Sequence, residues 1–432
     1  MSTTRVSVAP GATLTESVDA LLAVLDAVRY GGATTRPEIA RASGLGRNVV
    51  AQRVAQLVDI GLLTNGALAP STGGRAAREL YFRADAGFLL VAELGATGLG
   101  VAIADLAGGL SLLREEPADI ADGPDRILGR VTELFGEVLA ERPGTEVWGI
   151  GIGLPGPVEF ATGRPVAPPI MPGWDGFDVR RYFAERFDVP VWVDNEVNAM
   201  ALGELRGGLA QRHRDVIYVK IGSGIGAGLI SQGRLHRGAQ GCAGDIGHTA
   251  VSEDSSVICR CGNVGCLEAL AGGAALARDG AIAAKDGSSP YLARLVTNGD
   301  TVSAQAIADA AGHGDPTAIQ MLRRSAHLVG ETLARMVNFF NPSLILIGGG
   351  VAEAGDMYLA EIRQSVFQRS LPLATRALQI TRSPLGHQAG LRGAAFMVID
   401  ELLSADRFGA WIGAGSPVGR PELARPVQPR GV

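Results

Sequence analysis

The sequence is short of cysteine, lysine and net positive charge, and it has no long apolar run. Four cysteines in 432 residues, at 242, 259, 261 and 266, cannot staple so long a chain. Their clustering points to a metal instead. Lysine occurs twice, at Lys220 and Lys285, so arginine carries almost all the positive charge, which reads as high-GC coding bias. The net charge is −5, which excludes a global basic field for nucleic acid or membrane; any such function must come from a local patch. No stretch approaches the roughly 18 apolar residues of a membrane span. Met1 to Pro10 lacks a basic region followed by an apolar core, so no secretory signal is expected and the expected compartment is the cytoplasm.

Hydrophobic residues make up 47%, charged residues 19%, and mean hydropathy is +0.19. That is ample material for large cores and excludes a disordered chain. The length suggests roughly two to four domains. Charge is uneven: from Arg29 to Arg83 eight arginines face three acids, a local +5 on a body that is then −10. Such asymmetry suggests one module that meets a polyanion and another that does not.

Ser17 to Tyr30 has a helical apolar stripe of Val18, Leu21, Leu22, Leu25 and Val28, closed by Gly31-Gly32. Thr35 is a candidate N-cap for a short helix with Pro37 in its first turn. Ser43 to Gly46 is a tight turn, and a third helix runs from Arg47 to Ile60. This is the helix-turn-helix plan, with the second helix of the pair as reader. Arg36, Arg47, Asn48, Gln52 and Arg53 are candidate DNA contacts; Arg can pair with guanine, Asn or Gln with adenine. Leu63 to Ala69 and Glu79 to Arg83 read as strands flanking a wing, in which Gly74 and Arg75 would meet phosphate or minor groove.

From about Gly87 the texture becomes mixed α/β. Three glycine-rich turns follow apolar strands: Gly95 with Thr97, then Gly222-Ser223-Gly224 with Gly226, then Gly348-Gly349-Gly350. Such turns let backbone approach an anion, and three in order are candidate nucleotide-phosphate cradles. His248, Cys259, Cys261 and Cys266 form a complete four-ligand set for structural Zn2+, with no open coordination position. Cys242 lies outside it and reads as a buried small residue.

The chain resembles the ROK family (repressors, open reading frames and sugar kinases), in its repressor form with an N-terminal winged helix. The resemblance rests on Gly73-Gly74-Arg75, Gly151 to Val158, Asn195 to Asn198, Gly222 to Gly228, Gly238 to His248, the cysteine cluster, and Asn341-Pro342 leading into Gly348-Gly349-Gly350. It implies an α/β fold: an N-terminal winged helix-turn-helix followed by a two-lobed actin-like (ribonuclease H-like ATPase) domain around a sugar cleft. The implied boundaries are 1–85 for the DNA-binding domain, 86–205 plus 390–403 for a small lobe, 206–389 for a large lobe with the zinc site, and 404–432 as a flexible tail. The implied sugar-binding residues are Asn195, Glu196, Asp245, His248 and Glu268. The helix through Leu328, Leu333, Met336, Val337 and Phe340 is core or a dimer face; core is the working choice.

Several positions depart from the kinase pattern. Glu196 stands at the position of the kinase base, normally Asp. Glu93 replaces an Asp and Ala96 a Gly in the first phosphate turn. Ile170 replaces an Asn and Asp245 a Glu near the sugar. A misplacement of about 1 Å can cost on the order of 100-fold in rate. The resulting expectation is a sugar-responsive transcriptional repressor of carbohydrate genes with a degenerate kinase-like ligand domain and no assigned catalytic residue. The other reading is a bifunctional ATP-dependent sugar kinase, for which Mg-ATP would be the cofactor. Expected partners are a double-stranded DNA operator, a sugar or sugar-phosphate effector and a second copy in a homodimer or homotetramer, with no membrane.

Overall fold

The computed structural model describes residues 18–68, 78–254 and 256–426. The first three helices are α1 (Val18–Arg29), α2 (Arg36–Ser43) and α3 (Arg47–Asp59). Ala20, Leu21, Val24 and Leu25 of α1 face Ile39 of α2 and Val50, Val54 and Leu57 of α3, all buried. The start of α2 follows from Glu38, whose carboxylate accepts from the backbone N–H of Thr34 and Thr35 at 3.0 and 2.9 Å. Gly44, at φ 71°, ends it in the left-handed region and turns the chain into α3. Two antiparallel strands follow, β1 (Leu63–Leu68) and β2 (Arg78–Phe82), with Leu63 opposite Phe82. Three helices and a hairpin make a winged helix-turn-helix.

The next sheet contains β3 (Phe88–Leu94), β4 (Gly98–Asp105), β5 (Leu110–Pro117), β6 (Val147–Leu154) and, after the small hairpin β7 (Val158–Glu159) and β8 (Arg164–Pro165), β9 (Val191–Asn195). Its order is β5-β4-β3-β6-β9, antiparallel at first and then parallel. Helix α4 (Pro124–Ala140) buries Ile127, Leu128, Val131, Leu134, Phe135 and Val138 at helical spacing in the same core as one sheet face. Helices α5 (Val179–Phe187) and α6 (Glu196–Gly207) complete this half of the body.

A second sheet repeats the plan: β10 (Val216–Ile221), β11 (Ile225–Ser231), β12 (Arg234–His236), β13 (Leu344–Gly348) and β14 (Gln379–Arg382), in the order β12-β11-β10-β13-β14. All five residues of β13 are buried, as expected for a parallel strand covered on both faces. Between and after these strands come α7 (Leu267–Ala271), α8 (Gly273–Asp286), α9 (Pro290–Thr297), α10 (Ala304–Gly312), α11 (Pro316–Phe340), α12 (Asp356–Arg369) and α13 (Pro372–Thr375). In α11, Leu333 and Val337 are core, whereas Phe339 is 93% exposed. Two sheets of identical strand order, related as 3-2-1-4-5 in each, give a two-lobed α/β body.

Helix α14 (Gln388–Leu402) returns to pack on β3 and β6 and lies against α6. Glycines bring that pair together: a Cβ on Gly203 would stand 2.2 Å from the Ala389 carbonyl oxygen, and one on Gly393 1.6 Å from that of Ala199. Beyond α14 the expectation of a flexible tail fails for the described part, 404–426. Helix α15 (Ala405–Trp411) buries Phe408 and Trp411 completely. The Trp411 ring lies 5.3 Å from Trp148 and 5.2 Å from Phe408, and its N–H donates to the Leu402 carbonyl at 2.9 Å. Leu423 and Ala424 are buried in the same core. Gly, Pro and Arg hide the order from composition; two aromatics three residues apart supply it. Among the described residues, no helix is long and apolar enough to cross a membrane.

Candidate functional site

Between the sheets lies a cleft of about 1530 Å³. The three glycine-rich turns all border it, with Gly95, Thr97, Gly222, Ser223, Gly224, Gly226, Gly348, Gly349 and Gly350 in its lining. At three of these glycines a side chain has no room; at Gly348 a Cβ would stand 2.0 Å from the Tyr218 hydroxyl oxygen. A Cβ on Gly224 would stand 2.2 Å from Glu268 Oε2, and one on Gly349 (φ 87°) 2.5 Å from the Ile221 carbonyl oxygen. The same lining contains Asn195, Glu196, Asp245, His248 and Glu268, so the structure brings the sugar and nucleotide candidates to one place. Ile170 and Cys242 also line it; Cys242 is exposed, contrary to its reading as a buried residue, because it sits in a turn at the cleft mouth rather than in either sheet.

Helix α6 aims at this cleft. Asn195 caps it, its side-chain oxygen accepting from Val197 N–H at 2.9 Å and its amide donating to the Gly156 carbonyl at 2.8 Å. That cap fixes the first helical residue, Glu196, which is 7% exposed and forms an ion pair with Lys220 Nζ at 2.5 Å. Behind it, the buried Asp194 carboxylate accepts from Asn198 Nδ2 at 2.9 Å and from Arg237 Nε at 2.7 Å. Arg237 also stacks 3.8 Å from the Phe160 ring centroid. Glu93, on β3, lines the same floor; burial pushes its carboxyl up to about 8, with Lys220 opposing and Glu196 adding to the rise. A Cβ on Gly390 would stand 2.1 Å from Glu93 Oε2. Lys220, Asp194 and Arg237 are absent from the sequence-based set. The available signal was one lysine in the otherwise apolar strand Val216–Ile221.

Glu268 is tied to the protein rather than free: its Oε2 accepts from Ile225 N–H at 3.0 Å, holding the β10–β11 turn. It follows Cys266 by two residues, which couples the turn to the cysteine cluster. His248 Nδ1 lies 3.6 Å from Cys259 Sγ, Cys261 Sγ lies 3.7 Å from Cys266 Sγ, and the four candidate donors lie within 4.8 Å of one another. Metal–sulfur bonds of about 2.3 Å in a tetrahedron give sulfur–sulfur edges of about 3.8 Å. The donor set therefore has the dimensions of a four-coordinate metal site. Gly262 (φ 88°) and Gly265 (φ 68°) close the loop, and at Gly265 a Cβ would meet the Ser252 carbonyl at 1.8 Å.

On the winged helix, Arg47, Asn48 and Gln52 are exposed along one side of α3, and Arg36 is half-buried. Arg53 is a correction. It is 6% exposed and donates to Gln56 Oε1 at 2.7 Å, because its position falls on the inward stripe of Val50, Val54 and Leu57. Gly74 and Arg75 lie outside the described residues.

The model of the ROK family matches residues 91–401. A xylose repressor of Caldicellulosiruptor bescii is 31% identical over 397 residues, which are 91% of this chain and 98% of that protein. A crystal structure of a ROK family transcriptional regulator, a homologue of the E. coli MLC protein, superposes with a TM-score of 0.77 at 26% identity, covering 92% of this chain and 99% of that one. A ROK family glucokinase from Streptomyces griseus, solved with glucose and AMPPNP, gives a TM-score of 0.65 at 30% identity, covering 72% of this chain and 99% of that one.

Proposed function

The chain belongs to the ROK family, and within it we propose that this protein is a sugar-responsive, DNA-binding transcriptional repressor. The similarity to the regulators extends over about 86 residues more than that to the glucokinase, close to the length of the winged-helix segment. Arg47, Asn48 and Gln52 on α3, with Arg36, are the proposed contacts to operator DNA, joined by Gly74 and Arg75 of the wing. Glu196, Asp245 and His248 are the proposed sugar-hydroxyl partners, oriented by Asn195 and Glu268. Reading paired half-sites calls for a homodimer or homotetramer.

The observation that carries this reading is the path of α6. Its first residue, Glu196, faces the cleft. Ten residues later, about 15 Å along the axis, Arg206 pairs with Asp400 of α14 at 2.8 Å and lies 5.6 Å from the Tyr30 ring at the end of α1. A sugar that moves the N-terminus of α6 thus acts on the helix that supports the reader. A sugar panel in an operator-binding assay tests this. Sequence-specific binding should be altered by at least one sugar, and Arg206→Ala should uncouple sugar from DNA while each still binds. Absence of specific DNA binding at moderate salt would refute the reading.

Three thiolates and an imidazole in tetrahedral reach support Zn2+ as a structural ion at His248, Cys259, Cys261 and Cys266. When bound it would brace the loop that holds Glu268, and His248 would give Nδ1 to the metal while lining the cleft.

Kinase activity is the second reading, favoured by the glycine turns around the cleft and by the glucokinase similarity. Mg-ATP belongs to that reading alone. Glu196, at the base position, would have to give up Lys220 to accept a hydroxyl proton. An ADP-release assay over hexoses and pentoses decides it; turnover near the 1–100 s⁻¹ range typical of kinases would overturn the ordering.

A further inference from the structure

Of the two lysines in this chain, one lines the cleft. Lys220 lies on β10, in the second sheet, yet its ammonium reaches Glu196 at the head of α6, which follows the first sheet. The pair is therefore a tie between the two halves of the body. Glu93, from the first sheet, lines the floor beside it. A second tie lies two turns along α6, where Ser383 Oγ, just past β14, donates to the buried carboxylate of Glu204.

A divalent cation carrying nucleotide phosphates needs ionised carboxylates with free oxygens and space for its own water shell. The floor is roomy, but its two carboxylates, Glu196 and Glu93, are poorly disposed to take such a cation. Glu196 is already neutralised by Lys220, and a cation arriving there would meet the ammonium as a like charge. Burial raises the Glu93 carboxyl to about 8 and so disfavours the ionised form that a cation needs. The residues present do not fit a metal–nucleotide. They do fit an uncharged polyol: the ammonium has donors to spare, and the carboxylate has a second oxygen to accept from a hydroxyl.

We propose that Lys220 is the resident counter-ion of the cleft and its specificity-determining residue: by satisfying Glu196 across the lobe boundary, it fits the site to an uncharged sugar and excludes a metal–nucleotide. The sugar half of this statement rests on the function proposed above; the exclusion of metal does not. The two are read separately on the full-length, zinc-loaded protein. Free Mn2+ is followed by electron paramagnetic resonance, and D-xylose, D-glucose and Mg-ATP are titrated by calorimetry. The wild type should bind no Mn2+ below about 1 mM in the cleft, and sugar affinity should be the same with and without Mg-ATP. Lys220→Met should gain about one Mn2+ per chain and lose at least about tenfold in sugar affinity, whereas Lys220→Arg should behave as wild type. Zinc content and melting temperature control for folding, and the wild-type Mn2+ and Mg-ATP measurements need no variant. Micromolar binding of Mn2+ or Mg-ATP by the wild type overturns the proposal, as does a folded Lys220→Met that matches wild type in both measurements. Metal results as expected, with no heat from either sugar, would support the counter-ion role and count against the cleft as a site for those sugars.

Discussion

Replacing Trp411 by Ala should loosen the DNA-binding module without touching either the cleft or the reading helix. The indole is fully buried, packed between Trp148 and Phe408, and hydrogen-bonded to the last turn of α14. Deleting a buried Trp costs about 3–5 kcal/mol, and relaxation by neighbouring side chains sets where in that range the loss falls. The neighbours here are large rings that cannot fill the void, which favours the upper half. The loss is local, since α15 touches α1 directly: a Cβ on Gly409 would lie 2.7 Å from Val18 Cγ2. Hydrogen exchange read by mass spectrometry is the suitable assay, because it resolves the opening of one segment. Peptides covering 404–426 and α1 should lose about three to three and a half decades of protection, at about 1.4 kcal/mol per decade, while β13 and α11 keep theirs. Operator affinity should fall with them. A loss of less than about 1 kcal/mol, well under the range for a packed Trp, would mean that α15 is not held as described and that the winged helix is not anchored through it.

Three further outcomes are expected. Arg47→Ala should weaken operator binding by about 1–3 kcal/mol with no loss of thermal stability, whereas Arg53→Ala should destabilise the module, as its side chain is buried against α3; gel shifts and melting curves separate the two. Cys261→Ser, or prolonged chelation, should release about one zinc per chain and lower the melting temperature, as measured by metal analysis and calorimetry. The Glu93 carboxyl is raised from its ordinary 4.5 to about 8, so the folded state holds a proton that the unfolded state has lost. Its contribution to stability is full below about pH 4.5 and is lost as pH rises through about 8. Glu93→Gln should therefore flatten the decline in stability across that window, as followed by denaturant midpoints.

The winged helix was legible because its signals are local. Thr35, Pro37 and Glu38 announce a helix start, Gly44 its end, and the apolar spacing of α3 its inner face. Arg53 went astray because a long polar residue on the inner stripe looks like an outward reader until its phase relative to Val50 and Leu57 is counted. That His248, Cys259, Cys261 and Cys266 would converge was legible from residue type and spacing alone, and their donor atoms do lie within 4.8 Å of one another. What the sequence withheld depends on distance in space. The order of 404–426 comes from burying Phe408 and Trp411 against Trp148, over 250 residues upstream, and the pairing of Lys220 with Glu196 comes from two sheets facing each other. Asn195 and Glu268 read as ligand contacts but spend their polar atoms on Val197, Gly156 and Ile225, so much of their work is to hold other groups in place.

The crossing of α6 and α14 has a mechanical consequence. Where Gly203 meets Ala389 and Gly393 meets Ala199, backbone rests on backbone, with no side chain between to compress or swing aside. Such a joint has no backlash. A displacement of α6 at Glu196 is therefore expected to carry α14 with it, and the Arg206–Asp400 pair is where the operator-binding assay on Arg206→Ala reads it. A single methyl group at either glycine would wedge the joint apart and leave both ends of the machine intact but idle.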